Sequence, residues 1–328
     1  MTIPEHVFEE TLNGFFAPVS PLLQDDAVSE VLINAYDEIY VERGGQLEHS
    51  SHRFASTQEL FAALTNLSQY VGRPLDSQHP VLEARLPDGS RVEAVIPPAA
   101  PRGPTLCIRR FNGCRLTLDR LHELGSISSD ALVLLRSLVA ERRNVLVSGG
   151  SGAGKTSLLN ALISSAERSE RVIVLEDSSE LELSLPHVVR LEAQPGDVGG
   201  RGAIRIRDLL RAALRMRPDR IIIGEIRGAE ALDLVQAMLS GHRGCLSTVH
   251  GTVPLDALRR LETMASMSDV DIPITILRAQ IASAVGVILQ VCRRPSGLRQ
   301  VTQIMEVDGL DSSGSYRTST LFELPEEP

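Results

Sequence analysis

Residues 144–165 read NVLVSGGSGAGKTSLLNALISS, and they decide the fold of the larger part of the chain. NVLVSG (144–149) is an almost unbroken β-branched and apolar run of strand length, and the leucines and isoleucine that follow Thr156 recur at helical spacing. Between them Gly149 to Thr156, GGSGAGKT, matches G-x-x-x-x-G-K-[ST] in the strand-before, helix-after context that such a loop requires. Glycines let a backbone wrap an anion without Cβ clashes. The loop of Gly149, Gly150, Ser151, Gly152, Ala153 and Gly154 is therefore expected to aim its amides at a phosphate. The helix N-terminus adds a fixed partial positive charge. In this reading Lys155 reaches the β and γ oxygens of ATP, Thr156 ligates Mg2+, and Ser157 completes the cradle.

Of the 33 basic residues in the chain, Lys155 is the sole lysine. A coding bias that trades lysine for arginine wherever either charge serves would spare a lysine only where it is needed. A compact ammonium on a flexible stem fits between phosphates and a broad guanidinium does not. The 328 residues, 43% hydrophobic and 23% charged, exclude a disordered or collagen-like chain and suggest two domains. A net charge of −9 argues against a general nucleic-acid binder, so no nucleic-acid partner is expected. Cys107, Cys114, Cys245 and Cys292 are scattered without a C-x-x-C pair, which indicates neither zinc nor a disulfide framework. MTIPEHVFEE (1–10) lacks the basic start and apolar core of a signal peptide, and no apolar run approaches membrane-spanning length. The expectation is a cytoplasmic protein with no direct membrane insertion.

Along the chain, an N-terminal α/β domain is expected over 1–111, a linker over 112–127, and a second domain over 128–328. EIYVERGGQLEH (38–49) and VLEARLPDGSRVEAVI (81–96) carry hairpin signals around Gly44-Gly45 and Asp88-Gly89. TQELFAALTNLSQYV (57–71) has the helical period, with Thr57 as its cap, and TLCIRRF (105–111) resumes as a strand. Beyond 128 the strand candidates are 144–149, 171–176, 188–192, 220–225, 245–249 and 285–291, most of them separated by helical stretches. This alternation signals a mostly parallel sheet covered on both faces. The tail from Ser312 is expected to add an edge strand.

A phosphate cradle hydrolyses nothing by itself; acidic groups must hold magnesium and orient water. RPDRIIIGEIRG (217–228) is a buried strand ending in Glu225, and VIVLEDSSELEL (172–183) clusters Glu176, Asp177 and Glu180 at another strand end. Parallel strands deliver such residues to the edge where the phosphate loop opens. Glu225 and Asp177 are the acidic candidates for Mg2+. His250 ends the strand before Gly251, so it is expected on the same edge, whereas His242 precedes that strand. GGRGAIRIRDLLRAALRMRPDR (199–220) carries seven arginines; Arg207, Arg211 and Arg215 form one helical stripe, either a solvated face or a set that reaches a neighbour's phosphates.

With these four motifs in order, the chain resembles the secretion ATPase superfamily of type II and type IV systems and pilus motors. It is most similar to the CpaF-like branch that drives assembly of tight-adherence (Flp-type) pili. LPDGSRVEAVIPP (86–98), CIRRF (107–111), LEDSSELEL (175–183) and ALRRLETM (257–264) carry that resemblance beyond the phosphate loop. The resemblance implies a RecA-like P-loop domain after the N-terminal domain, and a homo-hexamer that couples ATP hydrolysis to rigid-body movement. It also implies inner-membrane platform proteins as partners that hold the motor at the cytoplasmic face. It assigns Glu176, with Glu180 behind it, to polarising water, Glu225 to the Walker B acid, and His250 to the His box. Arg109 and Arg110 match the place where the N-terminal domain offers arginines to nucleotide, and Arg207, Arg211 and Arg217 are further candidates. The His box departs from the common H-A-N pattern, reading His250-Gly251-Thr252. A conjugation-type secretion ATPase, a nucleotide-gated scaffold with little turnover, and a DNA translocase are the competing readings.

Overall fold

Two kinds of strand pattern resolve into two sheets in the computed structural model, which describes residues 14–110, 116–194, 196 and 201–324. The chain divides into two units, Met1–Cys114 and Arg115–Pro328.

The first unit is built on an antiparallel sheet of six strands: β1 (Val28–Ala35), β2 (Glu38–Arg43), β3 (Gln46–His49), β4 (Val81–Arg85), β5 (Arg91–Val95) and β6 (Thr105–Arg109). Their order is β3-β2-β1-β6-β5-β4. A short helix, α1 (Ser20–Gln24), precedes β1. Both expected hairpins are present; Arg43 pairs Gln46 across Gly44-Gly45, whose φ values of 57° and 84° suit a two-residue turn. α2 (Thr57–Val71) is capped by Ser56 rather than Thr57: the Ser56 hydroxyl accepts the Glu59 N–H at 3.2 Å. Leu60, Ala63, Leu64 and Leu67 of this helix are buried among Val31, Ile33, Leu82 and Ile108 of the sheet. β1 sits at the centre of the sheet, yet the sequence reading passed over it, because a bulge between Val28 and Glu30 breaks its alternation.

In the second unit, α3 (Leu118–Glu123) and α4 (Ser129–Ala140) lead into β7 (Val145–Gly149) and α5 (Lys155–Ser164). There follow β8 (Val172–Glu176), β9 (Val188–Glu192), α6 (Ile206–Ala213), β10 (Arg220–Ile223), α7 (Glu230–Leu239), β11 (Leu246–His250), α8 (Pro254–Ala265) and α9 (Ile274–Ala284). β12 (Val287–Arg293), β13 (Arg299–Leu310) and β14 (Tyr316–Glu323) complete a sheet in the order β14-β13-β12-β7-β11-β10-β8-β9. Its six strands from β12 to β9 run parallel, and β13 and β14 add an antiparallel edge. Alternate residues of one strand enter opposite cores: Leu146 packs with α6 to α9, and Val145 and Val147 with α3 to α5. Burial on both faces is why these strands read as continuous apolar runs.

Two expectations need correction. The stretch 112–127 is not a plain linker. Residues 111–115 lie outside the described residues, and from Thr117, which caps α3, the chain belongs to the second unit, with Leu118, Leu121 and Ile127 in its core. The arginine-rich helix is also short: α6 ends at Ala213, so Arg215 and Arg217 lie beyond it, and Arg217 adopts a φ of 54°.

Arg220 opens β10 with 1% exposure and is paired through Nε to Glu170, itself 2% exposed, while its Nη2 donates to the Val139 carbonyl at 2.7 Å. Arg142 Nε donates to the same carboxylate at 2.9 Å. Removing one partner of a buried pair strands the other charge, which costs about 3–5 kcal/mol. Glu170→Ala should lower the unfolding free energy by about that amount in urea titrations; a loss below about 1 kcal/mol, the level of a surface pair, would contradict this reading.

Candidate functional site

Four parallel strands end on one edge of the larger sheet. Gly149 and His250 are register partners on β7 and β11. Glu225 follows β10 across Gly224, and Glu176 ends β8. The local sequence permits this crowding. A Cβ on Gly149 would lie 2.5 Å from the Val291 carbonyl oxygen, so no side chain fits there. Gly154 holds a φ of +95° as the N-cap of α5, a conformation that suits glycine. That helix has no side-chain cap. Its first amides are thus available to an anion, and its dipole favours one.

Lys155 is 8% exposed. Its Nζ donates to the Gly150 carbonyl at 2.9 Å and lies 3.5 Å from His250 Nδ1. His250 Nε2 in turn stands 2.7 Å from Glu225 Oε1. With Lys155 as donor, His250 Nδ1 accepts, and the imidazole carries its proton on Nε2 facing Glu225. Burial holds the Lys155 ammonium below the usual lysine range, and the Glu225 carboxylate opposes that shift. Burial, reinforced by the Lys155 charge, likewise holds His250 below the ordinary imidazole range, again against Glu225. The other Glu225 oxygen accepts from Arg227 Nε at 2.8 Å and Nη2 at 2.5 Å.

The acidic loop after β8 is arranged differently from the sequence expectation. Glu176 is 4% exposed, and its Oε1 accepts the backbone N–H groups of Glu180 at 2.7 Å and Leu181 at 2.9 Å. Burial pushes its carboxyl above the usual range, against those two hydrogen bonds. Glu176 thus staples the loop from inside, while Asp177 and Glu180 are exposed. Glu180 acts electrostatically on both Lys155 and Arg227.

A cavity of about 510 Å3 opens beside the loop, lined by Gly150, His250, Gly251, Thr252, Asp256, Arg259, Arg260 and Thr263. Arg260 is exposed and makes no hydrogen bond or ion pair among the described residues. A second cavity of about 240 Å3, mostly apolar, is lined by Ala153, Gly154 and Ser157 together with Leu121, Leu158 and Leu298. Arg299 borders it and donates from Nε to the Gly152 carbonyl at 3.0 Å. Thr156 is half-buried in the first turn of α5, and Ser151 is exposed. Sequence reasoning missed Arg227, Arg260 and Arg299. Arg227 stood two residues after a chosen acid, but for Arg260 and Arg299 no local pattern signals where the fold carries them.

Four of the other candidate arginines are engaged elsewhere. Arg207 pairs with Asp233 and Asp269, each at 2.9 Å, and Arg211 with Asp233 at 3.2 Å. In the first unit, Arg109 pairs with Glu30 at 2.8 Å. Arg110, its side chain 9% exposed, donates to the carbonyls of Asp25 and Val28 and so props the start of β1. Arg217 is exposed. His242 lies before β11, with Nδ1 3.2 Å from the Ala237 carbonyl oxygen, away from the edge that His250 occupies.

Comparison with known proteins agrees with this architecture. A Mycobacterium tuberculosis protein provisionally named a conjugal transfer protein is 37% identical over 292 residues, covering 87% of this chain and 82% of its own. The type IV secretion system protein PtlH of Bordetella pertussis is 33% identical over 318 residues, covering 88% of this chain and 93% of its own. The Legionella pneumophila ATPase DotB superposes with a TM-score of 0.63 at 19% identity, covering 92% of this chain and 82% of that one, and shares the fold. The family described as Type II/IV secretion system protein matches residues 14–315. The chain belongs to that type II/IV secretion family, with an N-terminal domain followed by a RecA-like P-loop domain.

Proposed function

We propose that the chain is a Mg2+-dependent ATPase that works as a homo-hexameric motor, held to the cytoplasmic face of the inner membrane by platform proteins of a pilus or secretion machine. The observation that carries this reading is the Lys155–His250–Glu225 chain at the mouth of an uncapped, glycine-cradled helix. An ammonium largely withdrawn from water, beside backbone too close for any side chain, suits a phosphate better than it suits solvent. Among the described residues no helix is long and apolar enough to cross a membrane.

The residues present also fit Mg2+: the Thr156 hydroxyl stands in the first turn of α5, and Glu225 and Asp177 offer carboxylate oxygens, the donors this ion prefers. When bound, it supplies positive charge to the phosphate oxygens. Lys155 exchanges the Gly150 carbonyl for the β and γ oxygens. Glu180, exposed on the loop that Glu176 staples, orients and deprotonates the attacking water. His250, neutral with its proton on Nε2, keeps Glu225 aligned and reports on the cradle through Lys155. Arg260 faces the same cavity and adds a cation for the terminal phosphate. The apolar cavity beside Ser157 accepts the base. Of the N-terminal-domain arginines, Arg110 is consumed in holding β1, and Arg109 would first have to leave Glu30 to serve a nucleotide. Arg217 remains a candidate across a subunit boundary, whereas Arg207 and Arg211 would first have to leave Asp233.

Two machines are in play. The DGSR…IPP segment supports Flp-type pilus assembly, and the names of the conjugal-transfer and PtlH relatives support a conjugation-type secretion system. Deleting the gene in its host separates them: loss of pili identifies the first, loss of transfer with pili intact the second. Hydrolysis that does not respond to DNA is expected of both, and DNA stimulation would favour a translocase.

Four variants test the chemistry by nucleotide binding and phosphate release at a defined oligomeric state. Lys155→Ala should lose nucleotide binding. Glu225→Gln should bind ATP yet lose most turnover. Glu180→Gln should lose on the order of 10²-fold or more in kcat, as for a missing general base, whereas Glu176→Gln, which still accepts the loop amides, should retain activity within about tenfold. The reverse order would return the water to Glu176. A wild type with negligible turnover would leave only the nucleotide-gated scaffold.

The imidazole of His250 offers an independent check. Its NMR titration midpoint should lie below the ordinary histidine range, rise in Lys155→Met, which removes a neighbouring cation, and fall in Glu225→Gln, which removes the opposing anion. A midpoint indifferent to both would contradict the contacts that place His250 between Lys155 and Glu225.

A further inference from the structure

Beneath the phosphate edge lies a buried polar cluster that the proposed chemistry leaves unused. Ser148, immediately before Gly149, is 0% exposed, and Gln290, its register partner on β12, is 3% exposed. Gln290 Nε2 donates to the carbonyls of Gly251 and Thr252, both at 3.3 Å. These are the two residues after His250. The Gly251 N–H donates to the Gly149 carbonyl at 3.3 Å, and the Thr252 hydroxyl donates to Asp256 Oδ2 at 2.5 Å. The turn that carries His250 is therefore tied to the phosphate-loop strand, to the next strand and to α8. One further contact is steric: a Cβ on Gly251 would lie 2.5 Å from Ser148 Oγ, well inside van der Waals contact.

We infer that Gln290 is a positioning residue for His250, and that Ser148 and Gly251 are a matched pair in which the serine hydroxyl occupies the place an alanine methyl would need. This accounts for the departure of His250-Gly251-Thr252 from H-A-N: the glycine answers Ser148. A side-chain amide reaches the turn from Gln290 on the neighbouring strand. An amide with both donors on adjacent carbonyls fixes the turn, and through it the distances from His250 to Lys155 and Glu225. Neither Gln290 nor Ser148 is placed to touch nucleotide; both act through His250. The inference rests on the hydrolytic role of the site for its kinetic consequence, but its structural half stands apart from that reading.

The test uses the full chain with Gln290→Met, which keeps the length and removes the amide, and Gln290→Glu, which keeps the shape and removes both donors. A double-mutant cycle of Ser148→Ala and Gly251→Ala accompanies them. Two quantities are read: kcat and KM for phosphate release, and hydrogen exchange of residues 249–254 without nucleotide. Both Gln290 variants should speed exchange in that segment and lower kcat by about 10- to 10²-fold, the scale of a misplaced catalytic group, with KM within about threefold, since ground-state binding is untouched. Gly251→Ala should do the same in the wild-type background. Its kcat loss should shrink by at least about fivefold when Ser148 is already alanine, the mark of two residues in contact. Wild-type exchange and kcat in both Gln290 variants, or an equal Gly251→Ala penalty with and without Ser148, would overturn the inference. If a Gln290 variant fails to melt cooperatively, the Ser148–Gly251 cycle decides alone. If the wild type releases no phosphate, the hydrolytic reading has failed, and the exchange measurements still decide this one.

Discussion

An ammonium taken out of water has to be held, and the way Lys155 is held organises the edge of the larger sheet. At 8% exposure its charge is met by the Gly150 carbonyl on one side and the His250 imidazole on the other, with Glu225 beyond. Each partner comes from a different parallel strand or the loop that follows one. Their convergence depends on the register that sets Gly149 opposite His250. The buried runs of β7, β8, β10 and β11 exist to maintain that register. The interaction is also soft: a carbonyl and a neutral imidazole are weak partners for a cation, and a phosphate is a stronger one. The resting arrangement is thus poised for exchange rather than locked.

The distribution of arginine completes this picture. With lysine used once, arginine performs every other cationic task, and the structure sorts those tasks by burial. Arg220 is sealed against Glu170, and Arg110 is spent on carbonyls at the start of β1. Arg207 and Arg211 are tied to Asp233. Arg227 holds the carboxylate of Glu225 directly, which links the acid to the electrostatics of the Asp177–Glu180 loop. Arg260, without a partner among the described residues, faces the cavity beside Gly150.

What was legible in the sequence follows from how local each signal is. The phosphate loop announces itself in eight consecutive residues, because strand, turn and helix all take part within them. The doubly buried strands were equally plain, since burial on both faces removes alternation. β1 was passed over because a bulge breaks its period, and α3 because the stretch holding it reads as a connection until its leucines meet a core. Glu176 and Glu180 sit four residues apart in one acidic cluster; only the folded loop shows that Glu176 turns inward to two amides while Glu180 remains outside. Gln290 and Ser148 lie 142 positions apart in the numbering, and nothing short of the sheet's strand order brings them together.

The central claim is that Lys155, His250 and Glu225 form a phosphate site whose lysine changes partners when the site is filled. A crystal structure with a non-hydrolysable ATP analogue and Mg2+ tests it most directly. The terminal phosphates should lie within the turn of Gly149 to Gly154, with the Lys155 ammonium moved from the Gly150 carbonyl onto their oxygens. Analogue bound elsewhere, with Lys155 still on Gly150 and His250, would contradict it.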